Sequence, residues 1–263
     1  MAILSLQGNM GGNPVWNNPN VWAGDSVGNP VTPKAGNPCF LWARVFNLYN
    51  GPVNNITVSF FVLLPSGNGL WPPEAHGTNV IGQIPANGNA TIYCSIPWVP
   101  DSSQSSHQCL VAVGYCDECP PPPTVPGTPV NANDIQVAQH NVDIHQLSAA
   151  ETTVLRPFDI NDTGHSGYVQ ISRAPLAANS SLLRTRGIPA DIPEAPGGEQ
   201  IGLADRVTGE ALGEKVSYRP GERWQLNAVI DTAQRVPGTA ALYHVSFVEN
   251  GSVIGGVSNI ILH

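Results

Sequence analysis

The sequence predicts an all-β protein of two tandem antiparallel β-sandwich domains, residues 1–147 and 148–263. Strand-like runs with period-2 alternation recur along the whole chain. Clusters of Gly, Asn, Pro and Ser separate them, and in the first half no stretch between them carries the period of an amphipathic helix. Composition agrees: the 263 residues include 27 Gly and 25 Pro, with 41% hydrophobic and only 11% charged. A chain this apolar buries enough surface to offset its ordering entropy, so it is not disordered. Few charges and many turn residues suit short strands joined tightly.

The elements follow in order. PCFLWARVFNLYNGP places Cys39, Leu41, Ala43 and Val45 on one face and Arg44 on the other. NNITVSFFVLL, NATIYCSIPWVP, HQCLVAVGY and DIQVAQHNVDIH come next, with PSGNG, PANGN and PDSSQSS as turns. Alternation directs Cys94, Ile96 and Trp98 inward. In the last run Ala138, Val142 and Ile144 point one way; Gln139, Asn141, Asp143 and His145 point the other. QLSAAET, 146–152, reads as the linker. VLRPFDI, GYVQISRAPL, EKVSYRPGERWQLNAVID, TAALYHVSFVE and SVIGGVSNIIL are the strands of the second half. Asn250-Gly251 marks a hairpin, and Arg219-Pro220-Gly221-Glu222 a second tight turn. Residues 186–213, rich in Pro and Gly, read as a long irregular excursion, or as one holding a short helix near GLADRVTGEAL.

The N-terminal series GNPCFLWARVFNLYNGPVNNITVSFFV, IGQIPANGNATIYCSIPWVP, HQCLVAVGY and NANDIQVAQHNV resembles the CARDB (cell adhesion related domain) family of immunoglobulin-like sandwiches. Residues 44–47, 58–61, 88–100, 109–112 and 137–142 stand where that family has its strand signatures. PGTAALYHVSFVENGSVIGGVSNIIL resembles an immunoglobulin-like sandwich more loosely. The resemblance implies two immunoglobulin-like folds and a scaffold or adhesive role, and carries no catalytic site. Cys39 and Cys109 would then sit on strands B and F, which immunoglobulin domains often bridge. A Cys39–Cys109 disulfide and free buried thiols are both open.

Cys116-Asp117-Glu118-Cys119 lacks the second ligand pair that a structural zinc needs. The prolines that follow it block the helix N-terminus that a redox centre would use. It reads as a loop between two strands, with Cys116 and Cys119 a second disulfide candidate. Thr163-Gly164-His165-Ser166-Gly167 has Tyr168 where a nucleophile elbow needs glycine, and reads as a loop. Asp159, Asn161 and Asp162 resemble part of a calcium loop but lack the distal bidentate Glu, so calcium is a weak expectation. No other cofactor is expected. The histidines show no metal-ligand spacing, and His140 reads as a hydrogen-bonded core or interface residue. Trp16, Trp22 and Trp71 lie in loop-like contexts and are the expected glycan- or partner-contact residues.

No constellation pairs a nucleophile with a base or two catalytic carboxylates, so the sequence predicts a non-enzyme. The expected role is structural or adhesive: a self-assembling subunit of a filament, fibre, surface layer or particle. A glycan-binding module is the first alternative; an enzyme or calcium-binding accessory protein with an unrecognised site is the second. Expected partners are further copies of the chain, another protein, or a glycan. The net charge of −8, without a Lys/Arg cluster, argues against nucleic acid. No apolar run approaches the length of a transmembrane segment. MAILSLQGNMGGNP has no basic start and too short an apolar run for a signal peptide. The expected place is extracellular or particle-associated, reached by a route the sequence does not show, with the cytoplasm the other reading.

Overall fold

The computed structural model describes residues 3–263 apart from 9, 11, 12, 65–68, 102–106, 149, 150, 185 and 233–235. The expected turns PSGNG and PDSSQSS, and the middle of the 146–152 linker, fall largely outside the described residues. The N-terminal half contributes β1 (Leu4–Ser5), β2 (Val21–Gly24), β3 (Phe40–Asn47), β4 (Val53–Leu63), β5 (Gly77–Ile84), β6 (Asn89–Tyr93), β7 (His107–Tyr115) and β8 (Val137–Gln146). The C-terminal half contributes β9 (Thr153–Ile160), β10 (Gly167–Ala174), a helical turn at Ala177–Asn179 running into α1 (Ser180–Arg184), and β11 (Ile201–Asp205). After these come β12 (Ala211–Gly213), β13 (Lys215–Tyr218), β14 (Trp224–Asp231), β15 (Ala240–Glu249) and β16 (Ser252–Leu262).

The protein is an all-β sandwich, and its halves share a sheet. An eight-stranded sheet runs β13-β10-β15-β16-β8-β7-β4-β5. Its two halves meet at β8 and β16, which pair in parallel from Ser258↔Val142 to Leu262↔Gln146. The other pairings between named strands are antiparallel. One four-stranded sheet, with β3 between β6 and the short strands β1 and β2, covers β4, β5, β7 and β8. The other, β12-β11-β14-β9, covers β10, β13, β15 and β16.

Side-chain parity places these two covers on opposite faces of the long sheet. Leu110, Ala112 and Ala138 point into the N-terminal core with Leu41, Ala43, Val45 and Phe60. Val142, Ile260 and Leu242 lie on that same face, further along the sheet, where Leu182, Leu183 and Ile188 around α1 close over them. On the reverse face Tyr243, Val245, Phe247 and Ile261 pack against Phe158, Leu226 and Ala228. Further along that face Phe61, Cys109, Val111 and Val113 are roofed by Trp71 and Val130. Among the described residues the middle strands of the central sheet are thus covered on both sides, by a sheet on one and loops or a short helix on the other, while the edge strand β5 keeps one face exposed. This is why β8 is buried on both faces from Val137 to Asp143 although its sequence alternates apolar and polar.

Three details differ from the sequence reading. GLADRVTGEAL is not helical: it is β11, a turn and β12, with Gly209 at φ 75°. The short helix lies upstream, at SSLLR. Ile96 is 51% exposed, because β6 ends at Tyr93 and the bend after it breaks the alternation that would have turned Ile96 inward. The hairpin reading holds: Asn250 and Gly251 adopt φ of 49° and 75° between β15 and β16.

Candidate functional site

The most polar part of the interior lies along the β8–β16 seam. β16 leaves β8 above Val142, and the vacated edge of β8 is taken by residues 16–18. Asn18 N donates to the Gln139 carbonyl at 2.8 Å, and Asn141 N donates to the Trp16 carbonyl at 2.8 Å. Trp16 is therefore the wedge at the fork. Its ring covers Gly256, where a Cβ would stand 2.5 Å from the indole, and it meets His244 edge-on at 5.9 Å. Only glycine lets the wedge sit this close.

The polar side chains around the fork are buried and mostly bonded. Asn141 Nδ2 donates to the Gly256 carbonyl at 2.6 Å, tying the diverging strands together. The Asn17 carboxamide meets the Ser258 hydroxyl. His140 Nδ1 lies 3.0 Å from the Asn18 carbonyl. Burial, and then the Arg186 guanidinium, hold the His140 imidazole well below its ordinary pKa, so it is neutral. Arg186 follows α1 and donates through Nη2 to the Val142 carbonyl at 3.0 Å; burial pushes its pKa down to about 9. On the reverse face Arg156 of β9 donates through Nε to Asp143 at 2.7 Å, lies 3.2 Å from His145, and His145 bonds Glu151 at 2.8 Å.

One contact has the form of a catalytic pair: His244 Nδ1 lies 2.6 Å from Ser258 Oγ. Ser258 is fully buried, and burial pushes the His244 pKa down to about 4. A hydroxyl no substrate reaches, beside an imidazole too weak to take its proton near neutrality, is an architectural contact.

The sequence-derived candidates do not converge. Trp16, Trp22 and Trp71 are 4%, 7% and 3% exposed, which corrects the expectation that they present open faces. Trp16 is the wedge, Trp71 packs on Phe61 at 5.0 Å, and Trp22 stacks on Trp42 at 6.2 Å under the 25–29 loop. The outward aromatic row is a different one: Trp42 and Phe40 around Tyr93, which is 39% exposed, with centroids 4.9 and 5.8 Å apart. Its signal in the sequence was the face opposite Leu41 and Ala43.

All five cysteines are free. Cys39 points into the N-terminal core, whereas Cys109 points out of the other side of the sheet, so of the two open readings the placement favours free buried thiols over a Cys39–Cys109 bridge. Burial raises their pKa values to about 11 and about 12. Cys116 and Cys119 face each other as an antiparallel pair with reciprocal backbone bonds of 3.0 and 3.1 Å. The calcium candidates turn to other partners. Asp159 accepts from Arg206 at 2.6 Å, and Asp162 caps Gly164 and Gly221, both at 2.9 Å, while Asn161 lies between them in the turn after β9. Among the described residues no group of three or more His, Cys, Asp or Glu side chains is placed to hold a metal, and no helix is long and apolar enough to cross a membrane.

No family model matches the chain, and no curated protein matches it. Solved structures similar to it include a CARDB domain from Pyrococcus furiosus in complex with di-metal ions, at 15% identity and a TM-score of 0.29, over 47% of this chain and 82% of that one. An exo-chitosanase from Amycolatopsis orientalis is similar at 11% identity and a TM-score of 0.26, over 94% of this chain but only 27% of that one. A tip adhesin from Pseudomonas aeruginosa is similar at 10% identity and a TM-score of 0.24, over 92% of this chain and 99% of that one.

Two outcomes follow from the site. Directly opposed residues in a hydrogen-bonded antiparallel pair have Cα atoms about 5.5 Å apart, within disulfide range. Oxidised glutathione should therefore join Cys116 to Cys119 and leave Cys39 and Cys109 reduced; a Cys39–Cys109 peptide in a non-reducing digest would contradict the placement. Secondly, between pH 4 and 6.5 the unfolded chain binds a proton at His244 that the folded chain refuses. Stability is then greatest above pH 6.5 and falls by roughly 3 kcal/mol as pH drops towards 4. Urea titrations should show this slope flattened in His244→Phe, and an equal slope in both proteins would refute it.

Proposed function

We propose that the protein is a non-enzymatic structural or adhesive β-sandwich protein whose copies associate through the open edge at β5. The observation that carries this is the edge itself. β5, GTNVIGQI, ends the eight-stranded sheet with no charged residue and no proline, and Val80 on it is 57% exposed. Edge strands are ordinarily blunted by charge, proline or a bulge, because their unpaired amides and carbonyls template pairing with another chain. The neighbouring edge strand β6, NATIY, is also uncharged. At the far end of the sheet, β13 carries Lys215, whose ammonium lies 3.6 Å over the Tyr168 ring. The two ends therefore differ; at the uncharged one the Val80 amide donates to Asn79 Oδ1 at 2.9 Å, and the rest of the strand would carry the contact.

A β5–β5 antiparallel contact closes a two-fold dimer. A filament, fibre, surface layer or particle needs a second contact as well, and the low charge of the chain favours close packing of copies. An extracellular or particle-associated place goes with this reading. Light scattering on a concentration series should show dimers or larger species for the wild type and monomers for Val80→Lys, with unchanged circular dichroism. A wild-type monomer at the highest soluble concentration would end the proposal.

The row of Trp42, Tyr93 and Phe40 favours glycan binding as a second reading, since exposed rings offer flat apolar surface to the C–H faces of sugars. A glycan array should then give a signal that Tyr93→Ala abolishes, and a blank array for the wild type removes this reading.

A further inference from the structure

A cleft of about 270 Å³ opens where the 129–131 segment of the N-terminal half meets the β9–β10 turn and the β15–β16 hairpin. Its wall is apolar at Pro129, Val130 and Ile254 and polar at Asn131, Thr163 and His165. Glu249, a residue only 6% exposed, also lines it. Tyr218 Oη donates to Glu249 Oε1 at 2.9 Å, and the Thr163 hydroxyl donates to the same oxygen. Burial first, and Glu249 second, raise the Tyr218 pKa far above its ordinary value, so this donor stays protonated and fixes the carboxylate. Oε2 has no hydrogen-bond partner among the described residues, and it is not sealed from solvent, so it faces the cleft. None of the ion pairs among the described residues includes Glu249.

Buried charges are normally paired. Here the carboxylate is held by two neutral donors, its other oxygen lies at the cleft without a hydrogen-bond partner among the described residues, and none of their ion pairs includes it. We propose that this cleft binds a primary ammonium at the end of a short aliphatic chain. The ammonium would bond Glu249 Oε2, and the methylenes would lie along Val130, Pro129 and Ile254. The net charge of −8 favours the approach of a cation. A lysine side chain of a partner and a free aliphatic amine share this chemistry. The site stands apart from the β5 edge, so its success or failure leaves the association reading untouched.

The test is an NMR titration of the full-length protein with n-butylammonium chloride, against sodium chloride at equal ionic strength and against n-butanol. Saturable shifts are expected at the amides of Thr163, Glu249 and Ile254 with n-butylammonium alone. Glu249→Gln should weaken the binding at least tenfold while leaving distant signals in place. Ile254→Trp fills the cleft without touching the carboxylate, and should abolish binding even if Glu249→Gln fails to fold. Putrescine and a Gly-Lys-Gly peptide blocked at both ends then tell a free amine from a lysine side chain. The absence of saturable shifts in the wild type, or equal binding by a folded Glu249→Gln or by Ile254→Trp, overturns the proposal.

Discussion

The parallel pairing of β8 with β16 is the interaction on which the rest of the structure depends. Five residue pairs, Ser258↔Val142 to Leu262↔Gln146, join what would otherwise be two separate sheets. Once joined, β8 and β16 lie in mid-sheet, and their polar side chains can no longer face water. Each buried polar group left without a partner costs about 1–3 kcal/mol, so the seam must supply partners. It does so in part, from both halves of the chain, while Trp16 Nε1, His140 Nε2, Asp143 Oδ1, Arg186 Nε and Asn259 Nδ2 stay buried without a hydrogen-bond partner among the described residues. Asn17 and Asn18 come from the N-terminal segment, Arg186 from the turn after α1, and Arg156 from β9.

The same pairing explains the layout of the covers. The small sheets sit on opposite faces of the long sheet, so each leaves a sector of the reverse face bare. The chain fills these sectors with what lies nearest: α1 and its flanks over Leu242 and Ile260, and the segments around Trp71 and Val130 over Phe61 and Val111. Stretches that read as loose connections therefore act as roofs. The Cys-Asp-Glu-Cys segment and its prolines lead into one of them, and Gln136 Nε2 anchors that lead by bonding the Cys119 and Pro120 carbonyls at 3.3 and 3.1 Å.

Strand positions were legible because alternation and turn chemistry are local. Cys39, Leu41, Ala43 and Val45 share a core face as their spacing requires, and Asn250-Gly251 closes the hairpin its φ values allow. What was not legible depended on partners far away in sequence. β8 alternates apolar and polar residues like a strand wetted on one side; nothing local reveals that Ser258 to Leu262 will lie beside it. Trp16 looked exposed because its neighbours are Asn and Pro, but those asparagines bond β8 and β16. Glu249 ends a strong strand pattern, and only the arrival of Tyr218 and Thr163 distinguishes it from a surface carboxylate. Parity within β7 could have set Cys109 opposite Leu110, but not which side of the sheet held Cys39.

Because the shared sheet is the central claim, its direct test is native-state hydrogen exchange along the seam. If β8 and β16 form one ladder, the amides of 142–146 and 258–262 exchange only through global opening, with the same denaturant dependence as core amides in β4 and β15. Fast or denaturant-insensitive exchange at 258–262, with β7 and β8 still protected, would show that the two halves do not share a sheet.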